Sequence, residues 1–263
     1  LEQRFAPENE LNPRDEAKMT KRQSIRKTLL LISFILFPIT IFYLSPFLII
    51  LAGLQGIVSG SFIVFGVLLI VSLFWGRAFC GWVCPAGGLQ DCCSMASGKA
   101  PKGGWRNLIK YMIWIPWLTS IILVFIKTGG IKGINVLYLT DHGVSVSGLW
   151  SYIPYLAVVA LFVIISLLFG KRAVCHYICW MAPFMVIGNT IKNKLRYPSL
   201  HLDSDKTKCL HCKLCNKKCP MSLNVHEMVQ QETINDSECI LCGECIDTCS
   251  KGAIQYRFTF RRG

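Results

Sequence analysis

The residues best equipped for chemistry are cysteines, fourteen of them in 263 residues. Eight fall in two runs of matching spacing. The first is Cys209, Cys212, Cys215 and Cys219 followed by Pro220, and the second is Cys239, Cys242, Cys245 and Cys249 followed by Ser250. Three thiolates spaced by two residues wrap one corner of an iron–sulfur cube, while the fourth, three residues further on, points away and ligates the other cluster. The expected ligand sets are therefore crossed. Cys209, Cys212, Cys215 and Cys249 hold one [4Fe–4S] centre, and Cys239, Cys242, Cys245 and Cys219 hold the other. Zinc is the alternative, because Cys-x-x-Cys pairs also bind it, but a zinc site has no use for the interleaved fourth cysteine. A disulfide scaffold conflicts with the reducing compartment inferred below.

Four more cysteines form two pairs, Cys80 with Cys84 and Cys175 with Cys179, offset by the same 95 positions. They close two similar stretches, Leu73-Phe74-Trp75-Gly76-Arg77-Ala78-Phe79-Cys80 and Leu168-Phe169-Gly170-Lys171-Arg172-Ala173-Val174-Cys175. Cysteines at i and i+4 share one face of a helix, so a repeat that brings the pairs together presents four thiolates to one site. That suits a third iron–sulfur cluster or a soft metal. A redox-active dithiol and plain buried packing are the other readings. Met181 and Met185, after Cys179, add soft donors that would suit copper(I). Cys92 and Cys93 have no repeat partner and read as packing residues. Haem b needs paired axial ligands, and only His176 lies near an apolar helix, so no haem is expected. His176 reads as structural, with contact to a quinone or partner cofactor as the alternative. Arg77, Lys171 and Arg172 read as helix-end anchors, and Trp114, Trp117, Trp150 and Tyr152 as interfacial belt residues.

These residues must be positioned by a membrane fold. Hydrophobic residues make up 52% of the chain and charged residues 16%, with a mean hydropathy of +0.45, a balance that fits a membrane protein carrying a small soluble module. No charge interrupts Thr28 to Gly76, a run far too long for a signal peptide and long enough for two spans of about 20 residues each. Spans are expected near 28–50, 59–76, 105–127 and 150–170. The net charge of +13 comes largely from basic clusters flanking these runs, at 21–27, 99–110 (Lys99, Lys102, Arg106, Lys110), 171–172 and 192–196. The 52–61 turn has no basic residue and the 128–149 loop only Lys132. By the positive-inside rule both termini face the cytoplasm, where thiolates persist. Membrane lipid is then one partner, and nucleic acid is excluded because no basic face with interleaved aromatics stands apart from the flanks. No nucleotide loop, dinucleotide fingerprint or nucleophile elbow is present. The polar tail before residue 20 reads as loosely ordered, and because the chain begins at Leu1 further N-terminal sequence is expected.

Residues 205–258, including Lys251-Gly252-Ala253-Ile254, resemble the bacterial two-cluster ferredoxins, with Ser250 where that family usually has proline. The run Gly76 to Pro85, the second Cys-x-x-x-Cys, four spans and the double ferredoxin motif together resemble the NapH and NosR type of membrane ferredoxin. Trp180 follows Cys179 where the repeat has proline in its other copy, so the resemblance is weaker there. It implies a cytoplasmic-membrane electron-transfer protein, linked to quinol oxidation and to respiratory reductases or their maturation, acting with redox partner proteins in a membrane complex. The fold expected is a mainly α membrane protein of four transmembrane helices in two pseudo-twofold-related hairpins, 28–95 and 105–190, plus a small α+β ferredoxin-like domain. Its parts are a tail (1–27), a membrane domain (28–190) and a ferredoxin domain (191–263). The function expected is passage of single electrons between cytoplasmic-side clusters and a membrane quinone or partner subunit. The competing reading is a copper-centre assembly factor that uses the clusters as reductant.

Overall fold

The apolar runs become helices, and the breaks between them fall where proline and glycine leave backbone groups unpaired. The computed structural model describes residues 20–101, 104–195 and 197–260. The expected loose tail, Lys102 and Arg196 lie outside the described residues.

Thr20 caps α1 (Lys21–Ile35), its hydroxyl accepting from the Gln23 amide at 3.4 Å. The helix ends before Pro38, which has no amide hydrogen to extend the ladder. The chain bends there by 60°. It continues as the single turn α2 (Phe37–Thr40), a 3₁₀ turn to Leu44, and α3 (Pro46–Gly53), with Pro46 in the first turn of that helix. The single helix expected near 28–50 is therefore replaced by the end of a 15-residue helix that starts earlier, at Lys21, and two shorter pieces. A short strand, β1 (Ile57–Ser59), leads into α4 (Gly60–Trp75). Beyond it come α5 (Ala78–Trp82), α6 (Pro85–Ala96) and α7 (Ile109–Lys127). The strand β2 (Gly133–Asn135) pairs parallel with β1, and α8 (Tyr152–Phe169), α9 (Ala173–Tyr177) and α10 (Ala182–Leu195) follow.

Residues 105–127 and 152–169 are helices long and apolar enough to cross a membrane, and α1 with the bent piece 37–44 is long and apolar enough for a broken span or a re-entrant loop. Their outer faces expose Ile115, Ile122, Leu123 and Ile126 on α7, and Leu156, Ile164 and Leu168 on α8. Apolar surface turned outward to this extent is the character of a membrane-spanning helix. Trp114 and Trp117, expected in an interfacial belt, instead pack edge-on against Phe184 of α10, and the Trp117 indole donates to the Pro46 carbonyl at 3.0 Å. Trp150 and Tyr152 are exposed.

The internal repeat is visible as helix, short helix, helix: α4–α5–α6 and α8–α9–α10. The last helix of each copy packs on the first helix of the other, α10 on α4 and α6 on α8. Gly188 makes the first of these contacts possible, because a Cβ there would coincide with the Ser72 hydroxyl of α4.

The C-terminal part is framed by β3 (Ser199–Ser204) and β4 (Ile254–Thr259), antiparallel with Ser199 opposite Thr259. Between them lie the short helices α11 (Leu214–Lys218), α12 (Val225–Gln230) and α13 (Glu244–Thr248). His211 and Lys213 take left-handed backbone angles before α11, and Leu241 and Gly243, thirty positions on, do the same before α13. The two cysteine runs thus fold alike. One hydrophobic core, containing Cys80, Cys175 and Met185 as well as Leu202, Met221 and Ile240, joins this part to the helices.

Candidate metal centres

Each left-handed turn folds its run of cysteines around a common space. One cavity is lined by Cys209, Cys212, Cys215 and Cys249, with Leu210, Leu214, Val229 and Ile254. A second is lined by Cys219, Cys239, Cys242 and Cys245, with Leu202, Met221, Ile234 and Ile240. The fourth cysteine of each run stands with the other run's first three. Four thiols on an apolar wall are the donor set of an iron–sulfur cube, and both cavities fit one. Burial pushes the thiol of Cys215 up to about 11, Cys239 to about 11 and Cys242 to about 12, so metal binding here must displace protons. Cys212 is exposed and Cys209 half-buried, whereas Cys219, Cys242 and Cys245 are buried. The first cavity therefore lies at the surface and the second against the helices. At the rim of the first, His211 Nδ1 lies 3.1 Å from His226 Nε2, both close to Cys209. His226 comes from α12, and no spacing in the sequence marks it.

The other two pairs also converge, by a different local route from the one expected. Cys80 lies in α5 and Cys84 is the N-cap residue just before α6, so the pair straddles a helix break rather than one helical face. Cys175 in α9 and Cys179 beyond its end do likewise. Equivalent hydrogen bonds close both turns: Cys84 N donates to Phe79 O and Cys179 N to Val174 O, each at 2.9 Å. All four cysteines line a single cavity of about 490 Å³, whose remaining wall is mainly apolar, including Phe37, Phe42, Leu48, Val158 and Phe162. Gln90 Nε2 lies 3.3 Å from Cys175 Sγ, and Cys80 Sγ lies 3.4 Å from the Met185 sulfur. Met181 is on the cavity wall as well. Burial pushes Cys179 up to about 12 and Cys84 well above the ordinary thiol range. Four buried or half-buried thiols on one cavity wall, with Met181 and Met185 beside them, are a donor set for an iron–sulfur cluster or a soft metal. Cys93 is half-buried beside Leu89 and Val174, but Cys92, read as a packing residue, is exposed.

Charged side chains join the two regions. Arg26 of α1, 2% exposed, donates to Asp91 of α6 at 3.1 Å and to Glu244 of α13 at 2.9 Å. Arg172 donates to Asp91 at 2.7 Å, and Arg77 and Lys110 both pair with Glu238. Arg77 and Arg172, read as helix-end anchors, are thus buried ion-pair partners instead. Burial alone would raise the Asp91 carboxyl, but Arg172 and Arg26 outweigh it and hold the group below the usual range. Glu238 is held down to about 2 in the same way, by Arg77 and Lys110 against its burial. His176 is buried and, chiefly through burial, lowered to about 4, so it is neutral at pH 7. The loop carrying Cys242 docks on α5: the Trp82 indole donates to Leu241 O at 2.9 Å, and Gln23 Nε2 donates to Cys242 O at 3.0 Å. Gly81 leaves no room for a Cβ against the Ile240 carbonyl.

The chain matches the family described as 4Fe-4S binding domain over residues 59–103 and again over 152–198, and the 4Fe-4S dicluster domain over 201–250. The first family's two matches coincide with the two copies of the internal repeat. An uncharacterized protein of Methanocaldococcus jannaschii is 28% identical over 93% of this chain and 99% of its own length. The ferredoxin-type protein NapH of Haemophilus influenzae is 26% identical over 74% of this chain and 67% of its own. The regulatory protein NosR of Stutzerimonas stutzeri is 24% identical over 66% of this chain and 23% of its own. No solved structure matches the chain.

Proposed function

We propose, from the premise that this chain belongs to the NapH and NosR type of membrane-bound [4Fe–4S] ferredoxin proteins, that it passes single electrons between cytoplasmic-side clusters and a quinone in the membrane. The observation that carries this reading is the apolar cavity of about 490 Å³ with four cysteines on its wall. Its volume lies in the range of small-molecule sites, and a wall that is apolar apart from a few polar groups is what such sites present. Ser45, Gln90, Ser151 and Tyr155 supply the polar groups here. A quinone ring with an isoprenoid tail has the matching character.

In this reading Cys209, Cys212, Cys215 and Cys249 hold one [4Fe–4S] cluster, Cys239, Cys242, Cys245 and Cys219 a second, and Cys80, Cys84, Cys175 and Cys179 a third. When bound, such clusters accept or give one electron at a time, whereas quinone chemistry moves two electrons with two protons. The protein's own part is to order the carriers. Trp82, Gln23 and Gly81 fix the loop of the second ligand set against the helix bearing Cys80, and the exposed Cys212 edge of the first set faces outward to a soluble or peripheral redox partner. Four spans, from the broken α1–α3 segment, α4, α7 and α8, would leave both termini in the cytoplasm, with the ferredoxin region (191–263) beneath the bilayer.

The test is anaerobic electron exchange. Dithionite-reduced protein should be reoxidised by a short-tailed quinone, as followed by the return of cluster absorbance, and Val158→Trp, which fills the cavity, should slow it at least tenfold. Failure of both quinone and quinol to exchange electrons with the protein excludes this reading. A copper-handling role is the second reading, favoured by Met185 within 3.4 Å of Cys80 and by Met181 on the same wall. Stoichiometric copper that disappears in Cys80→Ser, with no loss of iron, would select it.

A further inference from the structure

Arg77 and Arg172 occupy the same position in the two copies of the repeat, 95 residues apart. Each immediately precedes the short helix that carries the first cysteine of its pair, and each is 0% exposed. Arg172 is well satisfied: Nε and Nη2 donate to Asp91 at 2.7 and 2.9 Å, and Nη1 donates to the Cys80 carbonyl at 2.6 Å. Arg77 is not. Its Nη1 donates to Glu238, while Nε and Nη2 are buried without a protein partner. Buried donors left unpaired are costly, and more so on a charged group.

Charge balance points the same way. In this ion-paired seam four buried cations, Arg26, Arg77, Lys110 and Arg172, share three carboxylates, Asp91, Glu238 and Glu244. Besides their carboxylate partners, the groups whose negative charge would act on these guanidiniums are thiols: Cys80 and Cys175 on Arg77, Cys175 and Cys242 on Arg172. Neutral packing cysteines would leave the excess cation and the two free donors uncompensated. A cluster held by four thiolates carries net negative charge and sulfur acceptors.

We propose that Arg77 and Arg172 are the built-in counter-charges of an anionic four-thiolate centre at Cys80, Cys84, Cys175 and Cys179, and that Arg77 sets the reduction potential of that centre. Both are positioning residues, Arg172 acting on the centre by charge and Arg77 by charge and N–H donation. The inference rests on the iron–sulfur reading of those four cysteines. Net charge and hydrogen bonds to sulfur are among the determinants of cluster potential. A guanidinium beside the centre favours its one-electron-reduced, more negative form, so the potential is higher with Arg77 than without it. Because Glu238 immediately precedes Cys239, Arg77 also links this centre electrostatically to the second ferredoxin ligand set.

The experiment is a redox titration of the full-length chain in detergent, followed by electron paramagnetic resonance, with the wave lost in Cys80→Ser taken as the centre in question. Arg77→Gln should shift its reduction equilibrium at least tenfold toward the oxidised form, which is about 59 mV for a one-electron couple. Arg77→Lys, which keeps the charge and loses the planar fork of donors, should shift it in the same direction by less. Iron bound at the other two sites checks that each variant is folded, and if Arg77→Gln does not accumulate, Arg77→Lys decides. A native midpoint in the variants overturns the inference while leaving the iron–sulfur reading standing. A native protein with no wave removed by Cys80→Ser overturns both.

Discussion

At the scale of single residues, Asp91 illustrates how much depends on groups that look unimportant in the sequence. Its carboxylate serves Arg26 and Arg172 together, and both arginines are buried. Asp91→Asn leaves two buried cations short of a partner and should destabilise the fold by about 3–5 kcal/mol, read as a lower thermal midpoint. The pH dependence follows from the direction of the shift. A carboxyl held below its unfolded value contributes stability that is fully present above about pH 4 and is lost as pH falls through the folded value. The native midpoint should therefore hold from pH 8 down to about 5, and the gap between native and Asp91→Asn should close only below about pH 4. Cysteine spacing is local and made legible the two sets of four cysteines that line common cavities. The ion pairs were not legible, because their partners lie far along the chain, 65 residues from Arg26 to Asp91, 161 from Arg77 to Glu238 and 218 from Arg26 to Glu244. A lysine or arginine beside an apolar run looks the same whether it anchors a helix in headgroups or is buried under a docked domain.

At the scale of elements, periodicity and composition found α4, α7 and α8 nearly where they stand. The break within the first apolar run escapes a hydropathy window, which averages across Pro38 and Pro46, while the backbone is broken by each missing amide hydrogen. The cysteine pairs were read as sharing one helical face, yet Pro85 initiates a new helix just after Cys84, and the second pair follows the same turn without proline. Hydrogen bonding, not proline, is what the two turns share. The reciprocal packing of α10 on α4 and α6 on α8 needed the second copy of the repeat to be folded, and no single window contains it. Gly188 is its most sensitive point. Gly188→Ala places a methyl where the Ser72 hydroxyl lies and should destabilise the helix pair by about 1–3 kcal/mol. Thermal unfolding in detergent should show this, and an unchanged midpoint would mean that α4 and α10 are not in close contact.

At the scale of the whole molecule, the apolar helices and the C-terminal cysteine-rich part share one hydrophobic core and are also joined by the buried ion pairs of Arg26, Arg77 and Lys110. The proposed ligand set of Cys239, Cys242, Cys245 and Cys219 lies against the helix bearing Cys80, through the close approach of Gly81 to the Ile240 carbonyl and the Trp82 hydrogen bond to Leu241 O. The proposed order of carriers is therefore cavity, the four cysteines on its wall, second ferredoxin site, first ferredoxin site and surface. The central claim is that Cys80, Cys84, Cys175 and Cys179 on the apolar cavity wall form an iron–sulfur site of their own, and the most direct measurement is iron and acid-labile sulfide per chain in anaerobically purified protein, with Cys80→Ser alongside. With four irons in each cube, about twelve irons are expected in the native chain and about eight in the variant. About eight in both would contradict the claim and leave the two regions without a shared carrier.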